Sequence, residues 1–486
     1  METQTPEQLK ASDPKSSVWV GASAGTGKTF VLSNRVLRLL LAGNRPDKIL
    51  CLTYTNNAAA EMAIRVNERL AKWISMKDKE LQSELTDVLG EGPTNDQLIL
   101  ARKLFAHVLD VPGGLKIQTI HSFCQSLLGR FPIEANISPN FDLLDDITIN
   151  EHLRHSQDEM LMQIDSGAND DLRDALDYLS GMLAEETFTK LMKSLTNERG
   201  GLEELFKRQS SSFKIVSESL KELLGFQQSD TRGTILEAAV ADDNFDYDGL
   251  KAASEKLLSG TKTDIKKGKL ISAWLKEKES RAESFDVYKK AFLTGKDEFY
   301  AKFMTKNLSE EYPDDLDQLY KEAERVKFSN DRLKAYMLFE NSIAILRMGF
   351  ELIKTYNARK VSRNVVDYDD LISKVSGLFH NVSASWILYK LDQGIDHILI
   401  DEAQDTNPVQ WDIIRKMAQE FFSGVGTHDE VDILENPRTI FAVGDIKQSI
   451  YSFQKAEPRK FDENKKYFIE QAKNAELDFS VVPLNL

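Results

Sequence analysis

Lys28 and Thr29 close a run of small residues, Ala22-Ser23-Ala24-Gly25-Thr26-Gly27, that an apolar segment, Val18-Trp19-Val20, leads into. Such a run can cradle phosphate. Glycines and alanines let successive backbone N–H groups turn toward one anion, a helix N-terminus adds positive potential, a lysine reaches the outer phosphates, and the hydroxyl can hold Mg²⁺. Ala22 stands where the usual pattern has its first glycine, so an ordinary strand-to-helix turn stays open as the alternative. A second constellation is Asp401-Glu402, directly after the apolar run His397–Ile400. In a phosphohydrolase the first of two such carboxylates can share a Mg²⁺ with Thr29, and the second can orient or deprotonate the attacking water. The bland reading is a helix cap, since Asp405-Thr406-Asn407-Pro408 starts the next helix. Both readings can hold, because capping would use Asp405 to Asn407 and leave the two carboxylates free.

The elements that must position these residues are legible in the pattern. Short β-rich runs, "SVWVGA", "KILCLTY", "LKIQTI", "HILIDEA" and "TIFAVGD", alternate with helical segments in the flanks, which is the signature of a parallel sheet covered on both faces. Between Pro139 and Pro408 the only proline is Pro313, and that stretch is rich in Leu, Lys, Glu and Ala in helical phase, as in "EHLRHSQDEMLMQI" and "KAYMLFENSIAILRMGFELIKTY". The expected fold class is therefore α/β, a parallel-sheet domain interrupted by a large α-helical insertion. The expected bounds are 1–145 and 376–486 for the sheet domain and 146–375 for the insertion. "TKTDIKKGK", residues 261–269, is expected to be a mobile surface loop.

Composition bounds the rest. A chain of 486 residues is too long for one core. The net charge of -15 excludes a uniformly basic surface, but the charge is uneven. Residues 1–75 carry ten basic and six acidic side chains, whereas residues 141–190 carry three and thirteen, so an acidic body can still have a basic working face. Two cysteines, Cys51 and Cys124, and an N-terminus with no apolar core point to a reduced, cytoplasmic setting, and no run is long enough to span a membrane.

"GASAGTGKT", "LTYTNNAAAEM", "TIHSFC", "LIDEAQDT" and "AVGDIKQSIYSFQKA" occur in the order of motifs I, Ia, Ib, II and III of the superfamily 1 helicases, and the chain resembles their UvrD/Rep-like group. "VVDYDDLI", "YKLDQGIDHILIDEAQDTNPVQW" and "GDIKQSIYSFQKAEP" resemble more narrowly the AddA subunit of the AddAB double-strand-break repair helicase-nuclease, particularly its alphaproteobacterial form. The likeness is dense over residues 5–145 and 365–460 and weak across the helical middle.

That resemblance implies a RecA-like P-loop fold and ATP and Mg²⁺ as ligands. The partners it implies are single-stranded and duplex-end DNA and an AddB-like subunit. It implies 3′ to 5′ movement along DNA during end resection for homologous recombination. ATP would be held by Gln8, reading the adenine edge, and by Ala22, Ser23, Ala24, Gly25, Thr26, Gly27, Lys28 and Thr29. Mg²⁺ would lie on Thr29 and Asp401. The catalytic set would be Lys28, Asp401, Glu402 and Gln448, the last sensing the γ-phosphate. DNA would meet Thr53, Tyr54, Thr55 and Asn56 at a strand end, Thr119, His121 and Ser122 in "TIHSF", and the aromatics Tyr451 and Phe453, on which bases can stack. Each has a plainer alternative: Gln8 solvated, Asn56 or Asn57 as a helix cap, Tyr451 and Phe453 as core. His121 has only Cys124 near ligand spacing, which disfavours zinc.

Departures from the pattern matter. Where many relatives have Arg-x-Arg-Gly-Ala, this chain has Ser452-Phe453-Gln454-Lys455-Ala456, and the arginine contact is not carried over. The terminal "DFSVVPLNL" resembles the strand before motif IV. On that likeness the chain reads as an N-terminal portion without the second motor lobe or nuclease domain, expected to bind ATP–Mg²⁺ weakly and hydrolyse it poorly. Two other functions compete with the AddA-like motor: a single-chain UvrD/Rep-like repair helicase, and an ATP switch or metabolite kinase, which would have no use for aromatics at the sheet rim.

Overall fold

The computed structural model describes residues 4–23, 25–167, 169–208, 212–382, 386–387, 390, 394–422, 437–448 and 457–484. Among these, eight segments form strands: β1 (Ser17–Ala22), β2 (Ile49–Thr53), β3 (Lys116–Thr119), β4 (Asp142–Leu143), β5 (Val365–Val366), β6 (His397–Ile400), β7 (Thr439–Gly444) and β8 (Phe479–Leu484). Six of them make one sheet in the order β3-β2-β6-β7-β1-β8, every pairing parallel. The terminal "DFSVVPLNL" segment thus supplies the edge strand beside β1.

Residue alternation divides this sheet between two apolar layers. Trp19, Leu50, Leu52, Ile398, Ile400, Ile440 and Ala442 face the core built with helices Ile120–Arg130, Tyr368–Asn381, Pro408–Ala418 and Pro458–Asn474. Val18, Val20, Ile49, Cys51, Leu399, Phe441 and Val443 face the opposite core, with helices Lys28–Leu41, Asn56–Ser75, Asp78–Leu89 and Asn95–Asp110. Both sheet faces are buried, which is why its strands read as continuous apolar runs. Trp19 anchors the first layer, its ring 5.7 Å from that of Trp411 and 4.8 Å from that of Phe461.

Two compact units result, one of residues 1–147 and 360–486, the other of residues 148–359. The expected end of the insertion at 375 therefore differs from the observed division. The physical reason is that Leu371, Ile372 and Val375 belong to the sheet core, as does Val366 of β5, whose pairing with β4 closes the chain there. Among its described residues the second unit has helices and an isolated bridge between Leu293 and Phe299, and the long helix Pro313–Arg363 begins at Pro313, the position where a missing N–H costs nothing.

The stretch 261–269 is not the mobile loop expected. It opens helix Lys262–Lys276, with Thr261 and Asp264 as a capping box. Gly268 is buried against the neighbouring helix so closely that a Cβ there would lie 2.9 Å from the Ser254 carbonyl oxygen. Its lysines suggest solvent, but Lys267 spends its ammonium on the carbonyls of Lys302 and Phe303. No described helix is long and apolar enough to cross a membrane.

Candidate nucleotide and DNA site

The parallel register aligns the strand ends: Gly21 is opposite Gly444, and Ile400 is opposite both Leu52 and Ala442. The loops after β1, β2, β6 and β7 therefore leave the sheet along one edge, the carboxyl edge where open α/β sheets take their ligands.

After β1 the chain turns through Gly25 (φ +79°) and Gly27 (φ +83°) into helix Lys28–Leu41. Only glycine holds these left-handed values without strain, so the turn needs both. Thr26 fixes the loop by donating its hydroxyl to the Ser23 carbonyl at 2.7 Å. Gly27 has Gln8 beside it, where a Cβ would lie 3.3 Å from Gln8 Nε2. Gln8 is the third residue of helix Pro6–Ala11, and its Oε1 accepts from the Thr5 N–H at 3.1 Å in a capping box. That helix is held down from the loop's own helix: Arg38 donates to the Leu9 carbonyl and Ser12 hydroxyl, and Arg35 to the carbonyls of Ala11, Asp13 and Ser16. Ala24 lies outside the described residues.

Three residues far apart in sequence meet at this loop. Lys28 Nζ donates to both Glu402 oxygens, at 3.0 and 2.9 Å, and to Gln448 Oε1 at 3.2 Å. Glu402 sits in the left-handed region (φ +47°), which costs a residue with a Cβ about 1 kcal/mol or more and is a conformation found where a site demands it. Asp401, preceding it at the end of β6, is 9% exposed. Burial first, and then the neighbouring Glu402 charge, push its carboxyl up to about 6, against the opposing pull of the Glu402 N–H and Lys28. A buried carboxylate beside a like charge is suited to a cation, and its oxygens are of the hard type that Mg²⁺ takes.

Gln404 is a residue that motif reading does not single out. It is 2% exposed, and its Nε2 donates to Glu402 Oε2 and to Asp405 Oδ2. A buried amide just past two carboxylates is the signal that could find it, because such a group has to be satisfied by neighbours.

At the ends of β2 and β3 the threonines cap helices. Thr55, expected at DNA, is the cap of helix Asn56–Ser75, accepting from Ala58 N–H at 3.1 Å; this role falls neither to Asn56 nor to Asn57, which are already in the helix. Thr53 donates to the Thr55 carbonyl. Thr119 caps helix Ile120–Arg130 through Ser122 N–H, with its hydroxyl 2.9 Å from that of Ser122. Tyr54 is half-buried, its hydroxyl without a partner among the described residues, and burial, then Asp405, raise its pKa. His121 packs edge to face with Tyr368, ring centres 5.5 Å apart, and burial holds its pKa below the ordinary value against the pull of Asp369. Tyr368 is 40% exposed and is a rim aromatic that the motif reading passes over. Phe123, in the same motif, belongs to the sheet core. Tyr451 and Phe453 lie outside the described residues.

Against known proteins, residues 4–469 match the family model of the UvrD/REP helicase N-terminal domain. The chain is 26% identical to an ATP-dependent helicase/nuclease subunit of Lactobacillus gasseri, over 94% of this chain and 36% of the relative. The same identity, with the same coverage, holds for the Listeria monocytogenes protein of that name. It is 26% identical to the exonuclease/helicase subunit RexA of Lactococcus lactis subsp. cremoris, over 97% of this chain and 38% of the relative. The chain spans a little over a third of the length of these relatives.

Proposed function

The chain belongs to the UvrD/REP helicase family, and from that premise we propose that it is the ATP-binding motor lobe of an ATP-dependent 3′ to 5′ DNA helicase or translocase, an AddA-like component of the cytoplasmic machinery that resects double-strand breaks for homologous recombination. The observation that carries the proposal is the meeting of Lys28, Glu402 and Gln448 at one edge of the sheet. The names of the relatives add the helicase/nuclease context and the subunit character, which supports an AddB-like partner and DNA as substrate. The narrower, alphaproteobacterial likeness rests on "VVDYDDLI", "YKLDQGIDHILIDEAQDTNPVQW" and "GDIKQSIYSFQKAEP" alone, since the relatives above come from lactobacilli, listeriae and lactococci.

In this reading the loop 22–29 receives the phosphates of ATP, and Gln8, held beside Gly27, reads the adenine edge. Lys28 exchanges Glu402 for the outer phosphates, which leaves Glu402 able to orient or deprotonate the attacking water. Thr29 and Asp401 would hold Mg²⁺, which when bound offsets the phosphate charge. Gln448 is the group that registers the γ-phosphate. The DNA track comprises Thr53, Tyr54, Thr55, Asn56, Thr119, His121 and Ser122, with Tyr451 and Phe453 as stacking partners. The threonines that cap helices contribute through the N–H groups they fix at the helix starts, positions that favour a phosphate.

Two titrations test this: a fluorescent ATP analogue with Mg²⁺, and a labelled single-stranded oligonucleotide followed by anisotropy with and without a non-hydrolysable ATP analogue. Saturable nucleotide binding that falls at least about 30-fold in Lys28→Ala, and DNA affinity that weakens with salt and changes with nucleotide, are expected. Nucleotide binding indifferent to Lys28→Ala sinks the proposal.

A further inference from the structure

Gln404 closes a circuit between the two loops that carry the site. Its Oε1 accepts from the Asp445 N–H at 2.9 Å, while its Nε2 donates to Glu402 Oε2 at 2.8 Å and Asp405 Oδ2 at 3.0 Å, so both amide hydrogens and the carbonyl are engaged. The fit against β7 is tight: a Cβ on Gly444 would lie 2.5 Å from Gln404 Oε1 and 3.1 Å from its backbone nitrogen. Asp445 in turn shapes the next turn, its Oδ1 accepting from Lys447 N–H and its carbonyl from Gln448 N–H, each at 3.0 Å. Gln448 then returns to Lys28, and Lys28 to Glu402.

We infer that Gln404 is a positioning residue that aims Glu402 and ties that aim to the turn bearing Gln448. The inference rests on the nucleotide reading above. In the structure Lys28 holds both Glu402 oxygens. Once Lys28 turns to phosphate, Gln404 is the remaining partner of Oε2 among the described residues, and it leaves Oε1 directed at the water. The left-handed backbone of Glu402 gives the side chain a reason to drift when that tie is lost. An amide suits the place: a carboxylate would accept from Asp445 N–H but would confront Glu402 and Asp405, and an apolar side chain would leave the Asp445 N–H without the Gln404 acceptor. A shift of the 445–448 turn is thereby felt at Glu402 through one rigid side chain, which links the γ-phosphate sensor to the base.

The test uses Gln404→Glu and Gly444→Ala, the second pressing from β7 on the Gln404 carbonyl, and at 2.9 Å on the Phe461 ring, with Gln404 itself intact, so its melting temperature is measured beside its kcat. DNA-stimulated hydrolysis is measured on the full-length motor protein that contains this lobe, beside binding of a fluorescent ATP analogue. The expectation for Gln404→Glu is a kcat lowered about 50-fold or more with KM and analogue binding within about 3-fold, and a further loss of no more than about 2-fold when it is placed in a Glu402→Gln background. Gly444→Ala is expected to lower kcat in the same direction, and it decides the matter if Gln404→Glu does not fold. A kcat within about 3-fold of the parent in the folded variants, or losses that multiply with Glu402→Gln, overturns the inference alone. Failure of the unaltered protein to bind the analogue overturns the nucleotide reading and this inference with it.

Discussion

The two edges of the six-stranded sheet both bury charged and polar groups, and they use them in opposite ways. At the amino edge, Arg35 donates from Nη1 and Nη2 to three main-chain carbonyls and the Thr439 hydroxyl. His397, at the start of β6, lies 2.9 Å from Thr439 Oγ1 and 3.0 Å from Asn44 Oδ1, so each ring nitrogen has a partner. Burial lowers Arg35 to about 9, and burial with the nearby Arg35 lowers His397 to about 3, so the imidazole is neutral there. At the carboxyl edge Asp401 is pushed the other way by burial and by Glu402, and Glu402 takes a strained backbone. Burial of polar groups by itself therefore does not mark a site. What separates the edges is a pair of adjacent carboxylates, one of them on left-handed backbone and held by the lysine of the glycine-rich loop.

The comparison can be broken by three measurements. The largest effect belongs to the carboxyl edge: Glu402→Gln is expected to lower DNA-stimulated hydrolysis about 10²- to 10³-fold while nucleotide binding stays within about 3-fold and the melting temperature does not fall. A loss of binding in step with rate would make Glu402 a phosphate-loop anchor and no more. Next, Arg35→Ala at the amino edge should cost about 3 kcal/mol of stability in denaturant unfolding, because its acceptors are left without a donor in a cavity. Nucleotide affinity measured on the folded fraction should move less than about 3-fold; a larger change would mean that the clamp on the Gln8 helix is itself part of the site. The smallest effect is in pH. His397 has a folded pKa below its unfolded value, so its contribution to stability is fully present above about pH 6.5 and is lost as pH falls toward 3. The raised Asp401 carboxyl works in the opposite direction over the same window, so the decline is read as the difference between the melting curves of the protein and of His397→Gln from pH 7 to 5; no pH-dependent difference would remove His397 from the amino-edge network.

Much of the carboxyl edge is legible in the sequence, since the glycines, Lys28 and the carboxylate pair announce their chemistry locally. The helix cap reads as Asn56 or Asn57 in the sequence and is Thr55 in the structure, because a strand end and a helix start fall on the same residues and only the backbone angles decide which side chain does the capping. The lysine-rich stretch 261–269 reads as solvated, yet Gly268 and Lys267 are buried, because helix contact is set by a partner helix that local composition does not reveal. The Arg35 and His397 network leaves no local mark at all: an arginine on a helix and a histidine before an apolar run look like surface until the sheet is assembled.

Continuous apolar runs and helical spacing are local properties, and they determined that this chain has strands, loops and helices in their chain order. Lys28, Glu402 and Gln448 come together only because β6 and β7 insert between β2 and β1. That order is a matter of long-range pairing, and buried parallel strands with the same apolar pattern would satisfy their hydrogen bonds in several orders. Tertiary packing selected one of them, and with it the single amide, Gln404, that joins two loops 41 residues apart.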